Sequence, residues 1–557
     1  MVQSRISITV GPRPAAGWVE AARIAMAAGR FGEAIRGLRK ASAAEPGNAM
    51  ILVELGEVHL LAGQPGEAVD PLRRATTIDP LSANARLRLG MALGALGDPA
   101  GAGREYEQAA ALQPSLAEAH YQLGLLHENF GRPQPALACF RRAVGAAPEI
   151  DLRQMAEARL LTLEGHEEAA ATLLRQILGR QPRNAAALIL LGDILTGLGQ
   201  FEEAEKCFEA GLTLQPHKVA LFYNIVRCRP ITAEDEDLIE RMDASLRLPG
   251  LDDQARSILE LARGKAFEDL GRYDKAMVAF DAAGEARARL APFDLERFSA
   301  SIDTLIAGFD GKALARSYPG ASNDTVPVFV LGMPRSGTTL CEHILGSHPD
   351  VACPGELQFW TVQGPTLART GPKSLEGTFV ADTAAFYLQY LRSISDSATR
   401  VVDKTPLNFF WIGLIHMIFP CATIIHCRRR PIDTALSIHQ TAFAPWQRFP
   451  TGGPELVGYY RQYQRLMAHW RAVLPPGRML EVDYETLTRQ PENEIRRIIG
   501  FTGLDWNGAC LRPQDSKRVV RTPSRWQVRQ PVHTASVDRW RRYESFLGSL
   551  AALRDCE

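Results

Sequence analysis

Alanine recurs at Ala34, Ala68, Ala102, Ala136, Ala170 and Ala204, each step being 34 residues. Glycine recurs in phase at Gly29, Gly63, Gly97, Gly131, Gly165 and Gly199, and proline at Pro46, Pro80, Pro114, Pro148, Pro182 and Pro216. Few folds accommodate three such columns. A repeat of this length is one helix pair that cannot bury its apolar face alone and must stack on its neighbours. Each column has a physical reason. The glycine supplies the left-handed turn that ends the first helix. The alanine five residues later is small where two helices approach closely. The proline stops the second helix at the repeat boundary. Leu52, Leu55, Val58 and Leu61 are expected to line one face of a helix, and Ala68, Leu72 and Ala75 a face of the next. A degenerate copy follows at Gly264, Gly271, Ala276 and Ala283. Gly271 lies 72 residues after Gly199, so an irregular repeat with an insertion is expected near residues 219–251. The acidic run Glu234–Asp237 reads there as a solvated helix start.

The stack predicts an all-α solenoid whose concave face suits a protein or peptide partner. Its bounds are placed at 1–295, with six regular repeats over 15–218 and degenerate ones over 219–290. A long helix and a linker, 296–324, lead to a second domain at 325–557. Lys and Arg, 63 together, balance 63 Asp and Glu, so nothing in the net charge points to nucleic acid and any anion site must be local. Nine cysteines without CxxC spacing fit a reducing compartment and argue against a zinc site. The first residues carry no signal-peptide pattern, and no run approaches the roughly 18 apolar residues of a membrane span. A cytoplasmic protein without a membrane span is the expectation.

The second half opens on Val328-Phe329-Val330-Leu331, a buried strand, followed by Gly332-Met333-Pro334-Arg335-Ser336-Gly337-Thr338-Thr339-Leu340. A strand that turns into a helix N-terminus aims unpaired N–H groups, with the helix dipole behind them, at one point. Gly332 and Gly337 have the G-x4-G spacing of a nucleoside-triphosphate loop, but Thr338-Thr339 stands where the Lys-[Ser/Thr] belongs. The cradle is kept, the β/γ-phosphate lysine is lost, and a cation appears earlier at Arg335. Further on, Val401-Val402-Asp403 reads as a short strand with Lys404 at its end, where open α/β sheets place ligands. Ala422–Cys427 reads as another, followed by Arg428-Arg429-Arg430.

The string Pro334–Leu340 resembles the 5′-phosphosulfate loop of sulfotransferases that use 3′-phosphoadenosine 5′-phosphosulfate (PAPS), in particular the tyrosylprotein sulfotransferase-like branch. The resemblance covers about residues 325–550, and the first half resembles tetratricopeptide repeats. The resemblance implies an α/β P-loop-like domain with a parallel sheet and PAPS as co-substrate, without a metal. It implies that Arg335, Ser336, Gly337, Thr338 and Thr339 hold the phosphosulfate. Glu356, in a Gly-Glu after the loop helix, is implied as general base, with His343 and His348 as rivals, and Lys404 as a sulfuryl contact. The family element R-x-P-x-D-x-x-x-S matches Arg429, Pro431, Asp433 and Ser437, which assigns Arg429 and Ser437 to the 3′-phosphate and leaves Asp433 as a helix-start residue. Tyr484 lies in a Y-E-x-L element beside the nucleotide. Ser524 falls in a loop that closes over the cofactor and contacts the sulfuryl group. Arg539 stands where the family has a phosphate-binding lysine. Arg335, Glu356, Lys404 and Ser524 make up the implied catalytic set.

One departure concerns the acceptor. Leu357-Gln358-Phe359-Trp360 is apolar where the tyrosylprotein enzymes carry basic residues. The implied reaction is sulfuryl transfer to a hydroxyl, with a protein tyrosine presented by the repeats as one acceptor. The alternatives are a divergent P-loop kinase or NTPase, against which the missing lysine counts, and a repeat scaffold with an inactive nucleotide-binding domain.

Overall fold

The computed structural model describes residues 14–556 apart from 131, 217, 249, 358, 371–377, 444–446, 448 and 517–528. The chain forms two compact units, Met1–Ala187 and Leu188–Glu557.

In the first unit, helices come in pairs, among them Ala49–Leu61 with Pro65–Ile78, Ala83–Ala95 with Pro99–Leu112, and Ala117–Asn129 with Pro133–Ala146. The alanine column is completely buried at Ala34, Ala68, Ala102, Ala136 and Ala170. Gly29, Gly63, Gly97 and Gly165 take positive φ, between 71° and 88°, the conformation that ends a helix without a Cβ clash. Gly131 lies outside the described residues. Leu52, Leu55 and Val58 are buried, but Leu61 is 53% exposed. Three successive steps of three residues carry the side chain half a turn around the helix, so Leu61 points away from the face that Leu52 occupies.

A further glycine column sets the packing distance. A Cβ on Gly56, Gly90 or Gly124 would fall 2.4, 2.6 or 2.5 Å from Leu72, Tyr106 or Phe140. In each pair a large side chain lies directly on the backbone of the preceding helix. The second unit repeats the device, with Gly192 against Phe208 at 2.5 Å and Gly264 against Phe280 at 2.4 Å. Gly264 and Phe280 lie on the helices Asp253–Asp269 and Tyr273–Leu290, which marks the degenerate copy as a repeat with the same internal packing. The irregular stretch before it holds a short helix, Ala220–Ile225, and then Glu236–Leu246. Thr232 and Asp235 form a capping box on the 3-10 turn Ala233–Asp235 that leads into the latter; Asp235 pairs with Arg229 at 2.6 Å and Glu236 with Arg272, so the acidic run is a helix start with two members engaged.

The segment after the repeats opens with a separate helix. Tyr273–Leu290 ends before Pro292, and Asp294 caps a new helix, Leu295–Gly308, by accepting from the Arg297 N–H at 2.9 Å. That helix packs into the second unit. Leu295 fills the space left by Gly458, 2.4 Å from where a Cβ would stand, and Phe298 stacks on Tyr459 with centroids 4.6 Å apart.

The second unit contains a five-stranded parallel sheet: β1 Pro327–Leu331, β2 Val351–Gly355, β3 Arg400–Asp403, β4 Thr423–Arg428 and β5 Met479–Asp483, in the order β2-β3-β1-β4-β5. Strands covered on both faces read as continuous apolar runs, and all of β1 is buried. Val328 and Val330 pack with Cys341, Ile344, Ile495 and Ile498, whereas Phe329 meets Trp360 and stacks on Tyr387. From β1 the chain builds β2 and β3 on one side, then crosses to β4 on the other. In such sheets the crevice beyond the C-terminal ends, beside the reversal, takes the ligand. Among the described residues no helix is long and apolar enough to cross a membrane.

The glycine column gives a prediction of opposite signs on one repeat. Gly124→Ala places a methyl inside the Phe140 ring and should destabilise by about 1–3 kcal/mol. Gly145, in the partner helix Pro133–Ala146, has nothing within 4 Å of its would-be Cβ, so Gly145→Ala should stabilise by about 0.5–1 kcal/mol. Urea unfolding followed by circular dichroism reads both, and equal signs would contradict this packing.

Candidate active site

The turn after β1 is shaped by two glycines and an arginine. Gly332 has φ 144°, and a Cβ there would lie 2.3 Å from the Cys427 carbonyl oxygen at the end of β4. Gly337, at φ 101°, precedes the helix Thr338–Leu345, and its would-be Cβ lies 2.8 Å from the Tyr484 ring. Between them Arg335 is held at φ 71°. Only Arg335 and Asp538, among the described non-glycine residues, have positive φ. Left-handed backbone costs such residues of order 1–3 kcal/mol and persists where the surroundings impose it, commonly at functional sites.

Arg335, Gly337, Thr338, Thr339, Arg429, Ser437, Tyr484 and Arg539 line one cavity, walled on the far side by Gln530–His533 and Ser536. Ser336 is buried beside it, and its Oγ has no hydrogen-bond partner. The Arg335 Nε–H donates to Ser437 Oγ at 3.1 Å. Arg429 lies over the Tyr484 ring at 5.0 Å and donates to the carbonyls of Arg335, at 3.2 Å, and Ser536, while its buried Nε has no partner. Burial, then the positive charges of Arg429 and Arg227, push the Arg335 pKa down to about 10. An excess of buried cation with orphaned donors suits a phosphate-bearing ligand. Ser524 lies outside the described residues.

Glu356 and Lys404 do not line that cavity. They follow β2 and β3 directly, as Arg429 and Tyr484 follow β4 and β5. Lys404 is fully buried, its Nζ 2.9 Å from Glu356 Oε1 and 3.8 Å from Glu342 Oε2. Burial pulls the ammonium down, but Glu356 and Glu342 outweigh it and raise its pKa above the lysine value. His348 is buried, with Nε2 bonded to the Asp505 carbonyl at 2.9 Å and Nδ1 accepting from the Asp350 N–H at 3.2 Å, so both ring nitrogens are occupied. His343 is buried on the loop helix. Cys341 and Cys427 are buried in the core.

Three features were not legible in the motifs. Asp433 is more than a helix-start residue: its two carboxylate oxygens accept the N–H groups of Asp538, at 2.9 Å, and Trp540, at 3.0 Å, and so pin the segment that carries Arg539. Glu268 and Tyr223, on the repeat side, reach this region: Glu268 bonds Arg539, and the Tyr223 hydroxyl accepts from the Ala442 N–H at 3.1 Å. Leu357 and Trp360 are buried, Trp360 among Phe329, Phe359 and Tyr387; these two are core residues.

Residues 327–508 match the model of the sulfotransferase family, and residues 19–83, 87–149 and 161–224 match tetratricopeptide-repeat models. The chain carries tetratricopeptide repeats followed by a sulfotransferase-family domain. An uncharacterized protein of Aquifex aeolicus is 32% identical over 398 residues, covering 68% of this chain and 51% of that protein; the chain therefore spans about half of that relative's length. Nodulation protein NoeE of Sinorhizobium fredii is 27% identical over 40% of this chain and 62% of its own length. Protein-tyrosine sulfotransferase 1 of Danio rerio is 26% identical over 40% of this chain and 68% of its own length.

Beside Lys404, burial pushes the Asp403 carboxyl up to about 6, against hydrogen bonds from Thr405 at 2.7 Å and Tyr387 at 2.9 Å. Between the unfolded value near 3.9 and about 6, the native state holds a proton that the unfolded chain has lost, so stability falls as pH rises through that window and levels off above it. Asp403→Asn carries no such proton. The stability of the wild type relative to Asp403→Asn should drop by up to about 3 kcal/mol between pH 4 and pH 6. Denaturant melts across that range measure it, and a pH-independent difference would contradict a raised Asp403 pKa.

Proposed function

We infer that the protein is a sulfotransferase that uses PAPS and sulfates a hydroxyl of a protein or peptide, tyrosine being the first candidate. The observation that carries this reading is the adjacency, along one sheet edge, of two unlike sites. An arginine-lined cavity lies beyond β1 and β4, and a carboxylate–ammonium pair lies beyond β2 and β3. The family match and the names of the relatives support the reaction class. PAPS, when bound, supplies an activated sulfuryl group whose leaving group is a phosphate.

The chain's own residues divide the work. The helix N-terminus at Thr338 and Thr339, with Arg335 and Ser336, suits the 5′-phosphosulfate. Arg429, Ser437 and Arg539 suit the 3′-phosphate, and Tyr484 fixes Arg429 from below. Glu356 takes the acceptor hydroxyl proton as the new oxygen–sulfur bond forms and the sulfur–phosphate oxygen bond breaks. A phenol near pKa 10 needs such a base at neutral pH. Once Glu356 is protonated, Lys404 loses that counter-charge, but Glu342 still balances it. Lys404 thus stays an ammonium while charge grows on the oxygens it faces. Because Leu357 and Trp360 are spent in the core, their lack of charge does not weigh against an acidic peptide. Tetratricopeptide stacks commonly bind proteins, and an extended peptide held there would raise the local concentration of its hydroxyl.

Calorimetry with adenosine 3′,5′-bisphosphate (PAP), ATP and GTP tests the donor: PAP should bind without Mg²⁺, and the triphosphates more weakly. Arg429→Ala should weaken PAP far more than adenosine 5′-phosphosulfate, which lacks the 3′-phosphate; equal losses would remove Arg429 from that role. Glu356→Gln should leave PAP binding intact and lower turnover by about 10²-fold or more. If it retains near-full turnover while His343→Ala abolishes it, the base is the histidine.

A further inference from the structure

Arg539 lines the cavity, yet one edge of its guanidinium is already engaged. Nε and Nη2 donate to Glu268 Oε1 at 3.0 and 2.5 Å, and Nη2 also donates to Gln440 Oε1. The Tyr543 hydroxyl donates to the same Glu268 oxygen at 2.8 Å. Tyr543 in turn packs edge-on against Tyr273, centroids 5.1 Å apart. Glu268 lies on Asp253–Asp269, the helix that carries Gly264 of the degenerate repeat, and its side chain is only 12% exposed. The backbone of Arg539 is fixed as well, because Asp433 accepts the N–H groups on either side of it and Asp538 is held at φ 57°. Burial pulls the Arg539 pKa down, but Glu268 and Tyr543 outweigh it and raise it.

We propose that Glu268, a residue of the repeat, is a positioning residue of the donor site: it orients Arg539 so that the remaining edge of the guanidinium faces the 3′-phosphate. The proposal rests on the reading of the cavity as the PAPS site. A free arginine loses rotamer freedom when it clamps a phosphate, and a carboxylate that holds it beforehand removes that loss from the binding step. A buried carboxylate on Arg539 also offsets part of the positive charge of the cavity without filling it. Arg429 Nη2 bonds the Ser536 carbonyl, three residues before Arg539, so both lining arginines are tied to the same segment. The last repeat then acts on the donor site from behind its lining, through Arg539.

The test is calorimetry on the full chain with PAP and with adenosine 5′-phosphate, in a double-mutant cycle of Glu268→Ala and Arg539→Ala. Glu268→Ala should weaken PAP about tenfold and leave adenosine 5′-phosphate nearly unchanged. In an Arg539→Ala background it should cost little more, since its effect passes through that arginine. Glu268→Gln keeps the shape and one acceptor oxygen; it should fall between wild type and Glu268→Ala, and it carries the comparison if the alanine variant does not fold. An equal loss with or without Arg539 would overturn the proposal, as would tighter PAP binding by Glu268→Ala, which would make Glu268 a competitor of the phosphate. PAP binding by the wild type that is unaffected by Glu268→Ala would overturn the proposal alone. No PAP binding by the wild type would overturn the donor-site reading and the proposal with it.

Discussion

The contact between Gly332 and the end of β4 is the constraint on which the site depends. The loop after β1 passes so close to the Cys427 carbonyl that a methyl would stand 2.3 Å from it. Only a glycine allows the turn to stay over the sheet edge, and the rest follows from that proximity. The turn brings Arg335 next to Ser437 on the helix after β4. It lets the Arg335 carbonyl accept from Arg429, and it presses Gly337 onto the ring of Tyr484 after β5. Three strands are thereby tied together beyond their last residues by one loop. A parallel sheet supplies the remaining order, because all its strands end on the same side.

Charge is arranged in two opposite ways along that edge. At Lys404 a buried ammonium is matched by two carboxylates, so the resting site is compensated and the loss of one partner's charge can be tolerated. At Arg335 the charged neighbours are Arg429, Arg227 and Arg539, and compensation lies at the margin, where Glu268 meets Arg539 and Asp433 and Glu485 act on Arg429. A buried excess of positive charge is costly unless an anion enters. The first arrangement suits a group that must change protonation during turnover. The second suits a group that must capture an anionic ligand and then release it. The structural cost of the second is visible in the backbone, where Arg335 and Asp538 both hold left-handed conformations at the cavity.

Much of this was legible in the sequence because it depends on local pattern. A 34-residue period fixes helix pairs, and an apolar run followed by Gly, Glu, Lys or Arg marks a strand end. Of the residues named for the site, Arg335, Arg429, Ser437, Tyr484 and Arg539 line one cavity, and Glu356 and Lys404 form a separate ion pair. What was not legible depends on distance along the chain. Glu268 and Arg539 are separated by 271 residues, and nothing in either neighbourhood announces the other. Asp433 reads as an ordinary first-turn acid until the segment 538–540 is brought to it. Leu61 looked like a core residue because spacing by three was taken as one face. Nor does any local pattern show that Leu295 and Phe298, where the chain leaves the repeats, pack on Gly458 and Tyr459.

These contacts bear on how the repeats and the sulfotransferase-family domain relate. The compact unit that holds the sheet begins at Leu188, well inside the repeat series. Within that unit, repeat residues bond directly to the segments that shape the cavity: Tyr223 to Ala442, Asp281 to His439 at 2.9 Å, Arg287 to the Phe443 carbonyl at 3.1 Å, and Glu268 to Arg539. A tether would need none of these, since a flexible linker raises local concentration by length alone. Direct hydrogen bonds spread over several helices instead couple the packing of the late repeats to that of the segments beside the sheet. A ligand that alters the packing of those helices therefore has a physical route to Arg539, through one carboxylate and without any contact with the nucleotide.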